Sequence, residues 1–140
     1  MSKGEDALVE VVNNHDLEAL LRRYSPQAVA VAPGGMAEGR DQISSYYAHF
    51  LEAFPDLHVT VWSTVEQGND TSCEFSLAAT HTGSFLMPGG VVLPPTGQKI
   101  RIRVCSVHTV ESGLILSHRF YYDQLELFFQ LGVGLDLKEH

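Results

Sequence analysis

The chain has 140 residues, and nine Lys or Arg against seventeen Asp or Glu give it a net charge of −8. That balance repels phosphate backbones and disfavours nucleic acid as a partner, and no apolar run approaches the roughly twenty residues of a membrane helix. A chain of this length is expected to form one domain, residues 1–140. The polar N-terminus lacks the apolar stretch of a signal peptide, so we expect a cytoplasmic protein without a membrane partner.

The first half of the chain is predicted to be mainly helical. Apolar residues repeat at helical spacing over residues 7–12, and a short second helix follows Asp16 or Asn14, either of which can cap it. Ser25-Pro26 is expected to end that helix, and a short strand over residues 28–32 follows. A third helix is predicted from Gly39-Arg40-Asp41 to Phe54.

The second half alternates between apolar and polar residues, which is the period of β-strands. Strands are predicted over residues 57–65, 72–81, 100–110 and 114–122, with a last helix over residues 125–131. A long loop rich in Pro and Gly, Gly83 to Gly97, interrupts the series, and loops of this length are commonly functional. Helices first and an antiparallel meander after them predict an α+β fold.

Three of the seven histidines are predicted to face inward, because alternate residues of a strand share one face. His81 lies on the most apolar face of its strand, while His108 and His118 share faces with large aliphatic or aromatic residues. Leu116 is placed on the same face as His118. A buried imidazole can act as an acid or a base, or donate a hydrogen bond to an oxyanion. The remaining histidines, which look ordinary, are His15, His49, His58 and His140.

Plainer explanations stay open for each of these residues. A core histidine satisfied by a hydroxyl or a backbone carbonyl would explain any single one. Three imidazoles could instead hold a metal ion, although no carboxylate or cysteine spacing supports one. Asp123, among aromatic residues, could abstract a proton. Alternatively, Asp123 and Glu126 have the spacing of a capping box that opens the last helix.

Several segments, taken in order, resemble one protein family. They are Ala53-Phe-Pro-Asp-Leu57, Thr80-His-Thr-Gly83, Pro94-Pro-Thr-Gly97, Ser112-Gly-Leu-Ile115 and the stretch from His118 to Gly132. This set covers nearly the whole chain and resembles the SnoaL-like polyketide cyclases. The resemblance implies the cone-shaped fold of nuclear-transport-factor-like proteins, in which three N-terminal helices close a curved, mostly antiparallel sheet around a pocket.

The resemblance also implies a reaction, the closing of a polyketide ring by an intramolecular aldol step without a metal or a cofactor. The family uses an Asp with a nearby His, and these positions correspond here to Phe120 and Ser106, so neither carries the expected group. His81 and His118 do match histidines of the family pattern. His108 and His118 lie one pleat repeat, roughly 6 to 7 Å, from the two replaced positions and could serve a displaced proton transfer.

We therefore expect a cofactor-independent, cyclase-like or isomerase-like enzyme that acts on a small apolar or polycyclic carbonyl compound. Its expected catalytic residues are His81, His108, His118 and Asp123, and its expected substrate-binding residues are Tyr46, Phe50, Phe75, Phe120 and Tyr122. The alternatives are a non-catalytic ligand-binding or interaction module on the same fold and, third, a metal-dependent enzyme. A homodimer is also expected, because the resemblance implies that such sheets pair back to back.

Overall fold

The computed structural model describes residues 3–134, with side chains from residue 7 onward. In chain order its elements are α1 (Lys3–Asn13), α2 (Leu17–Leu21), β1 (Tyr24–Ala32), β2 (Gly35–Glu38), α3 (Gly39–Ala53), β3 (His58–Gln67), β4 (Asp70–Thr80), β5 (Phe85–Leu86), β6 (Val92–Leu93), β7 (Lys99–Glu111), β8 (Leu114–Tyr121) and α4 (Gln124–Gln130). No helix among these residues is long and apolar enough to cross a membrane. The terminal His140 lies outside the described residues.

Six strands form one sheet in the order β2-β1-β8-β7-β4-β3. Neighbouring strands are antiparallel except for the parallel pair of β1 and β8. The predicted α+β class, with a mostly antiparallel sheet and a short C-terminal helix, is confirmed. The short strand β2 was not predicted, and neither was the small hairpin of β5 and β6 inside the Gly83 to Gly97 loop.

Strand β1 begins earlier than the sequence indicated. Pro26 was expected to end a helix, but α2 already ends at Leu21 and Pro26 lies inside β1. The pairing of β1 with β8 jumps from Tyr24 to Val29, so Pro26 falls in an interruption of the ladder. A proline lacks the backbone N–H that a strand donates, and it is tolerated at such an irregularity.

Side chains at the junction of α1 and α2 attach these helices to the edge strand β3. The Asn13 amide Nδ2 donates to the Val59 carbonyl at 3.0 Å, and the Val59 N–H donates to Asn13 Oδ1 at 2.7 Å. His15 Nε2 lies 2.6 Å from the Leu57 carbonyl oxygen. Asp16 caps α2 by accepting from the Ala19 N–H at 3.0 Å, as predicted. These bonds satisfy polar groups at the sheet edge and hold the helices against the sheet.

A β-bulge near the start of β8 changes which residues face inward. The register of β7 and β8 jumps from the pair Thr109–Ser117 to the pair Val110–Ile115, which leaves Leu116 as the extra residue. Ile115 is consequently buried in the core, whereas Leu116 is only half-buried. The expectation that Leu116 shares the inward face of His118 was therefore wrong.

Candidate active-site cavity

A cavity of about 130 Å³ lies between the helices and the sheet. Residues from two groups of buried side chains line it, among them Phe54 of one group and Leu20 of the other. Five aromatic side chains predicted from the sequence all line it: Tyr46, Phe50, Phe75, Phe120 and Tyr122. A dry apolar cavity of about 150 Å³ is sufficient to bind benzene. The enclosed space therefore accommodates about one aromatic ring.

His118 is the imidazole of the predicted set that lines this cavity, and only 3% of its surface is exposed. Its Nδ1 lies 2.6 Å from the Tyr24 hydroxyl, which in turn lies 2.8 Å from the Tyr47 hydroxyl. Burial, together with the smaller effects of the neighbouring His108 and Arg119, lowers the pKa of His118 to about 3. The side chain is therefore a neutral imidazole at any ordinary pH, with one nitrogen engaged by a phenol.

His108 stands directly opposite His118 in the ladder of β7 and β8. The two rings are 5.4 Å apart between centroids and inclined at 71°, and His108 is also buried. It is not among the residues that line the cavity. The structure thus brings two of the predicted histidines together but places only one of them on the cavity wall.

Ser106 and Phe120 also stand opposite each other, and both line the cavity. These are the positions at which the family resemblance implies a His and an Asp. The Phe120 ring packs against His118 with centroids 4.1 Å apart. The wall thus keeps the position of the expected acid/base pair but carries a hydroxyl and an apolar ring there.

His81 occupies a different place from the one predicted, so its expected catalytic role is corrected. It is fully buried just after β4 and does not line the cavity. Its Nδ1 accepts a hydrogen bond from the Thr96 N–H at 3.1 Å and lies 2.9 Å from Thr96 Oγ1. Burial lowers the pKa of His81, an effect that the Gly83 backbone opposes. The imidazole connects the two ends of the long loop. This is the structural alternative, a core histidine hydrogen-bonded to its neighbours, that the sequence left open.

Asp123 is corrected in the same way. Its Oδ1 accepts hydrogen bonds from the N–H groups of Leu125 at 2.9 Å and Glu126 at 3.3 Å, so it caps α4. The residue is exposed and does not line the cavity. The capping alternative, and not the proton-abstracting one, describes its position.

Three tyrosines, Tyr46, Tyr47 and Tyr122, also line the cavity. Burial raises the pKa of Tyr46 well above its usual value, and the neighbouring Tyr122 raises it further. Burial also raises the pKa of Tyr122, and it raises that of Tyr47 to about 12. All three phenols therefore stay protonated and uncharged.

Two residues of the site were missed by the sequence analysis. His15 was treated as an ordinary histidine, yet it lines the cavity, with a left-handed backbone at a φ of 56°. Tyr24 was assigned no role, although it contacts His118 from the next strand. The signal that could have identified His15 is the break at Asn14-His15-Asp16, which places this histidine at the junction of two predicted helices.

A metal centre at the three histidines finds no support in the geometry. Within the described part of the chain, no three His, Cys, Asp or Glu side chains lie close enough together to hold a metal ion. His81 lies at the base of the long loop, whereas His118 lies at the cavity wall.

Comparison with known protein families shows that residues 6–118 match the SnoaL-like domain. The chain belongs to this family. No curated protein shows a significant match. The match over residues 6–118 confirms the family resemblance inferred from the sequence.

Solved structures agree with this family assignment. IdmH, a candidate polyketide cyclase of Streptomyces antibioticus, is 27% identical with a TM-score of 0.74, over 94% of this chain and 100% of that one. AclR, a candidate hydroxylase of Streptomyces galilaeus, is 25% identical with a TM-score of 0.76, over 89% and 90% of the two chains. A candidate SnoaL-like polyketide cyclase of Jannaschia sp. CCS1 is 21% identical with a TM-score of 0.78, over 92% of each chain, and it shows a shared fold.

Proposed function

We propose that this SnoaL-like protein is a cofactor-independent, polyketide cyclase-like or isomerase-like enzyme that acts by acid/base catalysis on an apolar carbonyl or polycyclic compound. The observation that supports this function is a neutral imidazole, His118, on the wall of an apolar cavity that three tyrosines also line. Apolar walls with a few convergent polar groups are typical of small-molecule sites. The 27% identity with a candidate polyketide cyclase supports the same reaction class.

Cyclisation and isomerisation can both begin with removal of a proton from the carbon next to a carbonyl. We assign the proton-accepting role to His15. Its Nε2 lies 2.6 Å from the Leu57 carbonyl oxygen, which can only accept, so Nε2 carries the hydrogen and Nδ1 keeps a lone pair. When the proton moves to Nδ1, the electrons of the C–H bond form an enolate whose oxygen lies beside His118. The Leu57 carbonyl then stabilises the imidazolium.

The two reaction classes differ in what the enolate does next. In the isomerase reaction, a different carbon of the enolate takes the proton back from His15, so the product has the same mass as the substrate. In the cyclase reaction, the enolate carbon bonds to a second carbonyl carbon, and the new alkoxide oxygen takes the proton from His15. Both cycles return His15 to its starting state and need no external oxidant or reductant.

A library of apolar ketones and diketones, scored first by thermal shift and then by turnover, tests this function. Mass spectrometry separates the outcomes: an unchanged mass or the loss of one water supports isomerisation or cyclisation, and a gain of one oxygen contradicts both. His15→Gln should lower kcat by about 10²-fold or more, within the range of general base catalysis. His58→Gln is the matched control, since His58 is exposed on β3.

A non-catalytic binding module is the second candidate, and the replacement of the expected Asp by Phe120 favours it. A phenyl ring at that position makes the cavity more apolar without adding a proton acceptor. This alternative predicts that ketones bind without turnover and that His15→Gln leaves their affinity unchanged. Tight binding with no product for every bound ketone would establish it and would contradict the enzymatic function.

We also propose a homodimer formed through the outer face of the sheet, in the cytoplasm. The supporting observation is the mixed polarity of that face, where two exposed arginines, Arg101 and Arg103, are followed along β7 by the half-buried Cys105 and Val107. Sedimentation equilibrium should give twice the chain mass of 15.4 kDa. Replacing Val107 by Lys should then yield the monomer, and a wild-type mass equal to one chain would contradict the dimer.

A further inference from the structure

A chain of two phenol hydroxyls, those of Tyr47 and Tyr24, reaches Nδ1 of His118. Tyr24 is fully buried, and its hydroxyl lies 2.6 Å from Nδ1 of His118 and 2.8 Å from the Tyr47 hydroxyl. The three groups come from different elements, namely β1, α3 and β8. An arrangement that depends on three separate elements is set by the tertiary fold and holds the ring in one orientation.

The chemistry of the two groups determines which one donates. A phenol O–H, with an ordinary pKa of about 10, is a far better acid than the N–H of a neutral imidazole, and an imidazole nitrogen is a better acceptor than a phenol oxygen. The favoured direction is therefore that Tyr47 donates to Tyr24 and Tyr24 donates to Nδ1. A neutral imidazole whose Nδ1 accepts must carry its hydrogen on Nε2.

We propose that the Tyr24 and Tyr47 hydroxyls hold His118 as the tautomer with its hydrogen on Nε2, so that His118 donates a hydrogen bond to a carbonyl or enolate oxygen of the ligand. Because Nδ1 is engaged by Tyr24, Nε2 is the nitrogen left to face the cavity that His118 lines. Tyr24 and Tyr47 are then positioning residues, and the ligand must present an acceptor oxygen at the His118 wall. This role rests on the proposed function only in that the cavity is taken as the place where the ligand binds.

Donation, and not proton removal, also fits the surroundings of His118. The imidazolium form would place a charge against Phe120 and beside His108, and burial strongly disfavours that form. A neutral N–H donor that is fixed in place stabilises an oxyanion without any change in its own charge. His15 and His118 therefore have opposite assignments, proton acceptor and hydrogen-bond donor.

Other histidines of the chain supply internal standards for this assignment. His81 accepts the Thr96 N–H on Nδ1, so its hydrogen lies on Nε2. His49 accepts the Leu86 N–H on Nε2 at 3.2 Å, so its hydrogen lies on Nδ1. A backbone N–H can only donate, which makes both tautomers independent of any choice of direction.

Nitrogen NMR of the full chain with isotopically labelled histidine tests the tautomer without any ligand or turnover. At neutral pH, His118 should show the pattern of His81 and not that of His49. Tyr24→Phe should remove the hydrogen-bond shift of the His118 Nδ1 resonance, and Tyr47→Phe should reduce it. The matched control is Tyr121→Phe. Tyr121 lies on the same strand as His118 but is 57% exposed, so this variant should leave the His118 resonances unchanged. A His118 spectrum of the His49 type would overturn the proposal.

Binding of two uncharged ligands of equal shape tests the donor role. Acetophenone carries a carbonyl oxygen where α-methylstyrene carries a CH₂ group, and each has one aromatic ring, which suits the cavity. Calorimetric titration should show that His118→Phe lowers the affinity ratio of acetophenone to α-methylstyrene about tenfold, which is the effect of one lost hydrogen bond. Tyr24→Phe should lower the same ratio by a smaller factor, and Tyr121→Phe should not change it.

The outcomes separate this role from the proposed function. If the affinity ratio stays the same in His118→Phe, His118 does not donate to the ligand and the proposal is wrong, whatever the catalytic screen shows. If the ratio falls while no ketone is converted, the donor role stands and the enzymatic function fails. Should Tyr24→Phe fail to fold, Tyr47→Phe and the wild-type tautomer still decide the question.

Discussion

Two buried histidines, His118 and His81, illustrate how similar sequence signals lead to different roles. Both follow the alternation of an apolar strand face, both are almost fully buried, and both have a lowered pKa. Both also accept or share a hydrogen bond at Nδ1. They differ in what surrounds the rest of the ring: His118 lines a cavity, whereas His81 packs against the rings of Phe54 and Phe85.

This difference shows that burial and lowered pKa do not by themselves identify a functional histidine. An imidazole can act on a ligand only if one of its nitrogens reaches space that a ligand can occupy. At His81 that space is filled, and the residue instead joins β4 to the far end of the Gly83 to Gly97 loop. At His118 the neighbouring residues leave room. The following predictions test this division from the largest expected effect to the smallest.

Replacing each histidine by glutamine should separate the two roles most clearly. His118→Gln should lower kcat by about 10²- to 10³-fold, because it removes the imidazole N–H that donates to the developing oxyanion. It should also lower the free energy of unfolding, since it disturbs the buried bond to Tyr24. His81→Gln should lower the free energy of unfolding by about 1–3 kcal/mol, since it disturbs buried hydrogen bonds. Urea denaturation and turnover of the same ketone measure both. Equal losses of activity at the two positions would contradict the division.

The base of the long loop should tolerate no added side chain at Gly83. A Cβ atom there would collide with the Glu52 carbonyl oxygen at the end of α3, which is backbone and cannot rotate away. Gly83→Ala should therefore cost about 3 kcal/mol, at the upper end for overpacking. Gly97→Ala is the comparison: it has φ +72° but nothing within 4 Å of its Cβ, so it should cost less. Equal costs would show that loop conformation, and not the collision, dominates.

The stability of the protein should depend on pH through His118. An unfolded histidine titrates near pH 6.5, whereas the folded residue has a pKa of about 3. Between these values the unfolded state binds a proton that the native state does not, so the free energy of unfolding falls as the pH falls. From about pH 8 to about pH 5, His118 should account for a loss of about 2 kcal/mol.

Urea denaturation of wild type and His118→Gln at both pH values measures this contribution. The carboxylates titrate in both proteins, so the difference between the two proteins isolates His118. The stability of the wild type relative to the variant should decrease by about 2 kcal/mol at the lower pH. A pH-independent difference would mean that His118 does not have the lowered pKa.

The smallest effect is expected at Thr96, the partner of His81. Thr96→Val removes the hydroxyl that lies 2.9 Å from His81 Nδ1 but keeps the backbone N–H that also donates to this nitrogen. The free energy of unfolding should fall by about 1 kcal/mol, and the affinity for acetophenone should not change. A loss of acetophenone binding in this variant would connect the loop base to the cavity and weaken the contrast.

Much of the fold could be predicted from the sequence because its patterns are local. Strand alternation located the long strands β3, β4, β7 and β8, and the capping signals of Asp16 and Asp123 marked the starts of α2 and α4. The errors occurred where pairing overrides local preference. Pro26 lies in β1 because the ladder is interrupted there, and the bulge at Leu116 depends on the register of two strands.

The candidate site could be predicted only in part. The aromatic residues of the cavity wall follow from periodicity, since a residue's face within its own element is a local property. The contact between Tyr24 and His118 joins residues 94 positions apart on parallel strands, and no local pattern reveals it. For the same reason His15 was missed: its place at the cavity depends on how the junction of α1 and α2 meets β3.

By itself, the amino-acid sequence determined the class of fold, the family, and which three histidines of the strand region are buried. These properties depend on spacing along the chain and on residue composition, both of which are visible in one dimension. The tertiary structure alone decided which inward histidine meets a cavity, and which nitrogen of His118 is free to act there. That decision depends on distances between side chains from separate elements, because an imidazole's chemistry is set by the partner on its other nitrogen.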